Sequence, residues 1–322
     1  MPTFIKSTCL FIVLFLGLVL FIEISTSFIE RKYSNFRLDS EPEIVVFGHS
    51  HPEVAFNDSL ISNLRNLAQS GESYFYTYFK AKLVLEQNPS IKVVFIGYTN
   101  NQIDEIADNW IWGDMDMSLR YPEYSSFMSF KDKFLLMHKN FKAYLNCFSL
   151  SVNRRLVKLR MQDFNFTNDI GGYLYLVRDK TDSLLNVKSG FEKGSTDYPH
   201  GMSEFNIYYL YKLVELCTKH GKRVVLFRSP LHERYEGFQN EARYQGILEK
   251  RFGNVEFMDF SKFPLSNSDF GDLEHLNHKG AKKFSEWFAG LLRNELLGKA
   301  DIRTFVADEM KMRRDSINLK SK

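Results

Sequence analysis

The sequence predicts an α/β fold with a mostly parallel sheet covered on both faces. Short apolar runs rich in β-branched residues recur at 43–47, 92–96, 223–227 and 255–258, the pattern of strands buried on both sides. Segments with apolar residues three and four apart lie among them, at 74–85, 204–220 and 279–297. Strand alternating with helix stacks helices on both faces of such a sheet.

Each element has a local reason. Residues 43–47 (Glu-Ile-Val-Val-Phe) form the first strand, and 64–67 a weaker candidate. Tyr74, Phe75, Tyr78 and Phe79 share one helical face, and Asn88-Pro89-Ser90 stops that helix before the strand at 92–96. Phe205, Tyr208, Tyr209, Leu213, Leu216 and Cys217 define the next helix, with Gly221 as its C-terminal stop before the strand at 223–227. Ala281, Phe284, Phe288, Leu291 and Leu292 face inward on the closing helix. Residues 105–200 have no clean period and carry Trp110, Trp112 and Gly171-Gly172; they read as a long insertion over the sheet edge. The tail at 298–322 is charged and reads as a solvated helix or disordered chain.

The N-terminus has its own character. Residues 8–22 are uncharged and almost wholly apolar, with Lys6 before and Glu23 after. With Phe4, Ile5, Ile24 and Phe28 counted, the run approaches the ~20 residues a spanning helix needs. Residues 1–28 are therefore read as a transmembrane anchor or a signal segment; Ser25-Thr26-Ser27 offers a poor cleavage site. Residues 29–42 are a tether and 43–297 the domain proper. Either reading exports the remainder, to the periplasm or cell exterior, membrane-anchored or secreted.

Composition removes other classes. Lys plus Arg is 42 against 39 for Asp plus Glu, which leaves no basic excess for nucleic acid. Apolar residues at 44% exclude a disordered chain. Three cysteines exclude a disulfide scaffold, and Cys217 falls on an apolar helix face as a buried thiol. The excess is aromatic, with 30 Phe and 16 Tyr.

Chemistry in an open parallel sheet belongs at the C-terminal strand ends. After the first strand comes Gly48-His49-Ser50-His51, a place where a tight turn can present a serine hydroxyl. A serine there is more often a turn or cap residue. After the weaker strand comes Gln69-Ser70-Gly71, and after the next Gly97-Tyr-Thr-Asn100-Asn101. Asp272-Leu-Glu-His275 precedes the closing helix. A nucleophilic serine needs a base and an acid that orients the base; Asp272 and His275, read as one turn opening that helix, supply both types. A backbone N–H at Gly71 and the amide of Asn100 or Asn101 are of the type that holds an oxyanion.

This ordered set, Ser, Gly, Asn and Asp-x-x-His, resembles the SGNH hydrolases, or GDSL esterases, over 43–101 and 222–297. The resemblance implies a three-layer α/β/α sandwich with a five-stranded parallel sheet. It implies Ser50 as nucleophile with Asp272 and His275 as its triad, an oxyanion hole from Ser50, Gly71 and Asn100, and no cofactor. His49 stands where the family has Asp, and an extra residue separates Gly97 from Asn100. His49, His51 and Asn101 are further pocket candidates. The competing chemistry is a metal site on His49, His51, His275 and His278; a neutral His275 acting as base needs fewer assumptions, so no metal is assigned. The expected activity is hydrolysis of O-acyl esters, with acylated cell-envelope saccharides as the favoured substrate and no nucleic-acid partner. The alternatives are a saccharide O-acyltransferase and a catalytically silent saccharide-binding module of the same fold.

Overall fold

The computed structural model describes residues 2–186 and 201–320 of the 322. In chain order the first elements are α1 (Pro2–Tyr33), β1 (Ile44–Phe47), α2 (Ser50–Ala55), β2 (Leu64–Asn66), α3 (Tyr74–Gln87) and β3 (Val93–Gly97). Five helices follow: α4 (Asn109–Trp112), α5 (Asp114–Tyr124), α6 (Phe130–Lys139), α7 (Phe141–Met161) and α8 (Thr181–Asn186). The chain then forms α9 (Glu204–Lys219), β4 (Arg223–Arg228), α10 (Glu241–Phe252), β5 (Glu256–Asp259), α11 (His278–Arg293) and α12 (Ile302–Lys320).

These divide into two compact units. One comprises Arg37–Trp110 and Ile170–Lys322, the other Met1–Phe36 and Ile111–Asp169. The expected insertion at 105–200 is thus shared between them, and its residues 187–200 lie outside the described residues.

The larger unit is built on a five-stranded, all-parallel sheet in the order β2-β1-β3-β4-β5. The alternation of strand side chains sets the two cores. Ile44, Val46, Phe95, Phe227 and Met258 pack with Phe284 and Phe288 of α11 on one face. Helices α3 and α9 pair on the other, where Phe75 meets Tyr209 edge-on. The tail differs from the expected solvated or disordered segment. Ile302, Val306 and Met310, spaced four apart on α12, are buried against the α11-side core, because that spacing gives the charged helix an apolar stripe.

In the smaller unit, α1 is exposed from Thr3 to Phe21 and is long and apolar enough to cross a membrane. Its last turns are different. Glu23, Thr26, Ser27 and Glu30 are buried, and Arg155 of α7 bonds Glu23 and, at 3.1 Å, Thr26. Lys133 of α6 reaches the same Glu23 at 3.0 Å. The helix continues through 29–33, where the sequence suggests tether.

Candidate active site

The site grows from the turn that ends β1. Gly48 has φ +153°, and a Cβ there would stand 2.6 Å from Pro52 Cγ; only glycine lets the chain bend this tightly beside β3. His49 is extended, and Ser50 then opens α2. Its Oγ lies 2.8 Å from His275 Nε2. His275 Nδ1 lies 2.9 and 3.1 Å from the two carboxylate oxygens of Asp272. The network fixes the tautomer: Nδ1–H donates to Asp272, leaving Nε2 to accept the serine proton.

Asp272 and His275 do not open a helix, as the sequence reading has it. They occupy a loop, and Asn277 caps α11 by accepting the N–H groups of Lys279 and Gly280. Asp272 instead organises its own loop, its Oδ1 accepting the N–H of Glu274 at 2.8 Å and of His275 at 2.9 Å. Burial alone would raise the Asp272 carboxyl. The hydrogen bond and charge of His275, with those N–H groups and Arg178, outweigh it and hold the carboxyl well below the usual carboxylate range.

A strap of chain from the expected insertion braces this loop. Gly171, at φ +101°, presses on Ala68, whose carbonyl a Cβ would meet at 2.4 Å. Leu174 N–H donates to Glu53 O at 3.0 Å, His278 N–H to Leu176 O at 2.8 Å and Lys180 N–H to Gly271 O at 2.9 Å. Arg178 bonds Asp272 directly.

Two further histidines line Ser50. His49 is fully buried, with Nε2 2.8 Å from Thr99 Oγ1 and Nδ1 3.4 Å from Ser50 Oγ. Thr99 passes its own proton to Asn101 Oδ1 at 2.7 Å, so His49 Nε2–H is the donor and Nδ1 faces the serine as an acceptor. The His49 ring lies 4.4 Å from that of His51 and 5.4 Å from Trp110. Burial first, then the nearby His51 and His275, hold His49 well below its ordinary pKa. Burial likewise lowers His51 and outweighs Glu274, 3.5 Å from its Nε2, which pulls upward.

Both histidines therefore take up protons more readily in the unfolded chain. Their contribution to stability is fully present above about pH 6.5 and is lost as pH falls through that value. The thermal unfolding midpoint is expected to be lower at about pH 5.5 than at about pH 7.5, with a smaller difference in His49→Asn. A midpoint flat across this window in both proteins would contradict the assignment.

The oxyanion candidates divide. Gly71, at φ +67°, sits in the turn after β2, tied to β1 by Gln69 N–H on Gly48 O at 2.9 Å. Asn100 is not available as a donor. Its amide donates to Asn240 Oδ1 at 3.0 Å and Glu241 Oε2 at 2.9 Å, and its oxygen accepts from Arg228. Past β3 the chain turns at 100–103: Tyr98 and Asn100 point to Tyr244 and the start of α10, whereas Thr99 meets His49 and bonds Asn101. Thr99, Glu274, Arg178 and Trp110 are site neighbours that the sequence reading missed. Thr99 and Glu274 lie inside its motifs; Arg178 lies in a stretch without periodicity, where no local pattern marks it.

Of the four histidines considered for a metal, His278 bonds Leu176 O and stacks on Tyr175 at 4.7 Å. Among the described residues, the group that brings ligand atoms together, within 4.8 Å of one another, is His51, Glu274 and His275. An ion there would occupy the imidazole that serves Ser50. Zinc is accordingly expected to inhibit ester cleavage and EDTA to leave it unchanged; loss of activity on chelation would reverse this. A separate cavity of about 1040 Å³ at the β4 and β5 ends, lined by Arg228, His232, Phe238, Asp259 and Arg303, contains none of these groups.

Comparison with known proteins adds little beyond this geometry. A family model matches residues 152–297, less than half the chain, and its description names no activity. No curated protein matches. Among solved structures, a Bacteroides fragilis protein provisionally described as an acylhydrolase is similar at 11% identity and TM-score 0.36, over 83% of this chain and 93% of its own. A GDSL-like lipase from Bacteroides thetaiotaomicron is similar at 10% identity and TM-score 0.36, over 86% and 98%. Likeness at that level fixes neither activity nor substrate.

Proposed function

We propose that this chain is a membrane-anchored serine hydrolase of O-acyl esters. The observation that carries the proposal is the unbroken line from Ser50 Oγ through the His275 ring to Asp272, at 2.8 and 2.9 Å. His275 takes the Ser50 proton as Oγ attacks the ester carbonyl, and returns it to the departing alcohol oxygen. Water, deprotonated by the same imidazole, then attacks the acyl-serine; the acyl–Oγ bond breaks, the imidazolium returns the proton to Ser50 Oγ and the acid leaves. The oxyanion is held by the N–H groups of Ser50 and Gly71, with the Asn101 amide in the place first given to Asn100.

Acylated saccharides of the cell envelope are the proposed substrate class. The support is the accessible aromatic surround: Trp110 beside His49 and the exposed Tyr175 on His278, rings of the kind that stack on sugar faces. Retention of α1 as an anchor is supported by its last turns. Cleavage at 25–27 would cut the helix where it is packed and separate Glu23 from Arg155 and Lys133, leaving a buried cation unpaired. The intact mass of membrane-extracted protein is expected to include residues 1–28.

A fluorophosphonate probe tests the nucleophile. It should label the full-length protein and fail on Ser50→Ala; equal labelling of both would end the serine-hydrolase reading.

A further inference from the structure

Apart from Arg155, helix α7 buries small residues and leaves its large apolar ones partly or wholly exposed. Ala143, Cys147, Ser151 and Arg155, spaced four apart, face inward. Phe141, Leu145, Phe148, Val152, Leu156 and Leu159 form a second stripe at steps of three and four. Phe141 is 59% exposed, Leu145 50% and Leu156 44%. On the neighbouring α6, Phe130 and Phe134 are 83% and 51% exposed and stack on each other at 6.4 Å. A soluble surface seldom leaves such a run of large apolar side chains in water.

Charge identifies what covers it. Residues 130–161 hold eight Lys and Arg and one acid, Asp132, and Asp132 caps α6 through Ser129. The entire chain has a net charge of only +3, so the basic excess gathers on this pair. Lys133 and Arg155 meet Glu23, and Arg154 and Lys158 meet Asp169. Lys131, Lys142 and Arg160 are at or near the surface, and Lys139 lies over the Trp112 ring at 4.8 Å. Basic helices with Phe, Leu and Trp on one side belong at a lipid surface. Continuity points the same way. Lys133 and Arg155 are fastened to Glu23, where the exposed apolar stretch of α1 ends.

We propose that α6 and α7 lie in the surface of the bilayer that α1 enters, with the apolar stripe at the acyl boundary and the cations among anionic headgroups. This rests on the anchored reading of α1. It gives the smaller unit a wide second attachment rather than a single-helix tether.

The test uses full-length protein with Cys9→Ser, reconstituted in phosphatidylglycerol-containing vesicles. An environment-sensitive fluorophore is placed by Phe134→Cys, by Leu145→Cys, or, as a control on α9, by Lys219→Cys. Doxyl-labelled lipid should quench the first two at least twofold more than the control. Equal quenching at all three overturns the proposal. So does an unquenched Leu145 label whose unlabelled Leu145→Cys counterpart forms a disulfide with a second copy. Intact mass of the same sample reports α1 separately. A missing N-terminus with quenching retained supports the lipid face and removes only the anchor; a complete N-terminus without quenching does the reverse.

Discussion

Ser50→Ala is expected to lower kcat/KM for p-nitrophenyl acetate by roughly 10⁴- to 10⁶-fold, with the fold intact. The substitution removes the hydroxyl that His275 Nε2 is placed to activate, at 2.8 Å. It costs little in stability, because Ser50 is half-buried at the first turn of a short helix. Asp272→Asn should approach the same loss, about 10⁴-fold. An amide in place of the carboxylate no longer holds Nδ1–H in place or stabilises the imidazolium that forms. Unchanged rates in Ser50→Ala would mean that the serine, histidine and aspartate are neighbours without a shared reaction.

Glu72→Ala is expected to cost about 3–5 kcal/mol of stability, the penalty for leaving a buried charge unpaired. Its partner Lys80 is wholly buried, 2.6 Å from the Glu72 carboxylate. The same ammonium donates to the carbonyls of Leu67 at 2.6 Å and Ile170 at 3.1 Å. The pair therefore pins the chain that leads into Gly71. The thermal midpoint of the full-length protein in detergent should fall by roughly 6–10 °C. The double replacement Glu72→Leu with Lys80→Met should recover much of this, since an apolar pair leaves no stranded charge. A double variant as unstable as the single one would show that shape, not charge, dominates there.

The sheet was legible because strands buried on both faces concentrate β-branched residues, as in 43–47 and 223–227, and because Gly221 and Asn88-Pro89 punctuate the helices between them. The proposed triad was legible because Ser50, Asp272 and His275 each fall at a strand end or just before the last sheet-covering helix. What escaped had physical reasons. Side-chain direction past β3 depends on where the strand stops alternating, so Asn100 and Asn101 could not be separated by counting from Gly97. The docking of α12 hung on three apolar positions, Ile302, Val306 and Met310, among many charges. The segment around Arg178 has no repeat, because its role is set by hydrogen bonds to Glu53, Gly271 and Asp272 rather than by burial of one face. The aromatic excess proved divided between the sheet-flanking core, the surround of Ser50 and the open stripe of α6 and α7.

The strap from Gly171 to Lys180 bears on how far the proposed catalytic core is modular. It touches the end of β2, the helix that carries Ser50, and the loop that carries Asp272 and His275. A chain trimmed of residues 105–200 to resemble a minimal hydrolase would keep every motif and lose the brace that holds them in register. The segment that looks like an accessory in the sequence is thus part of the smallest piece that could be transplanted with its chemistry, and a shortened relative would need a different brace for the same loop.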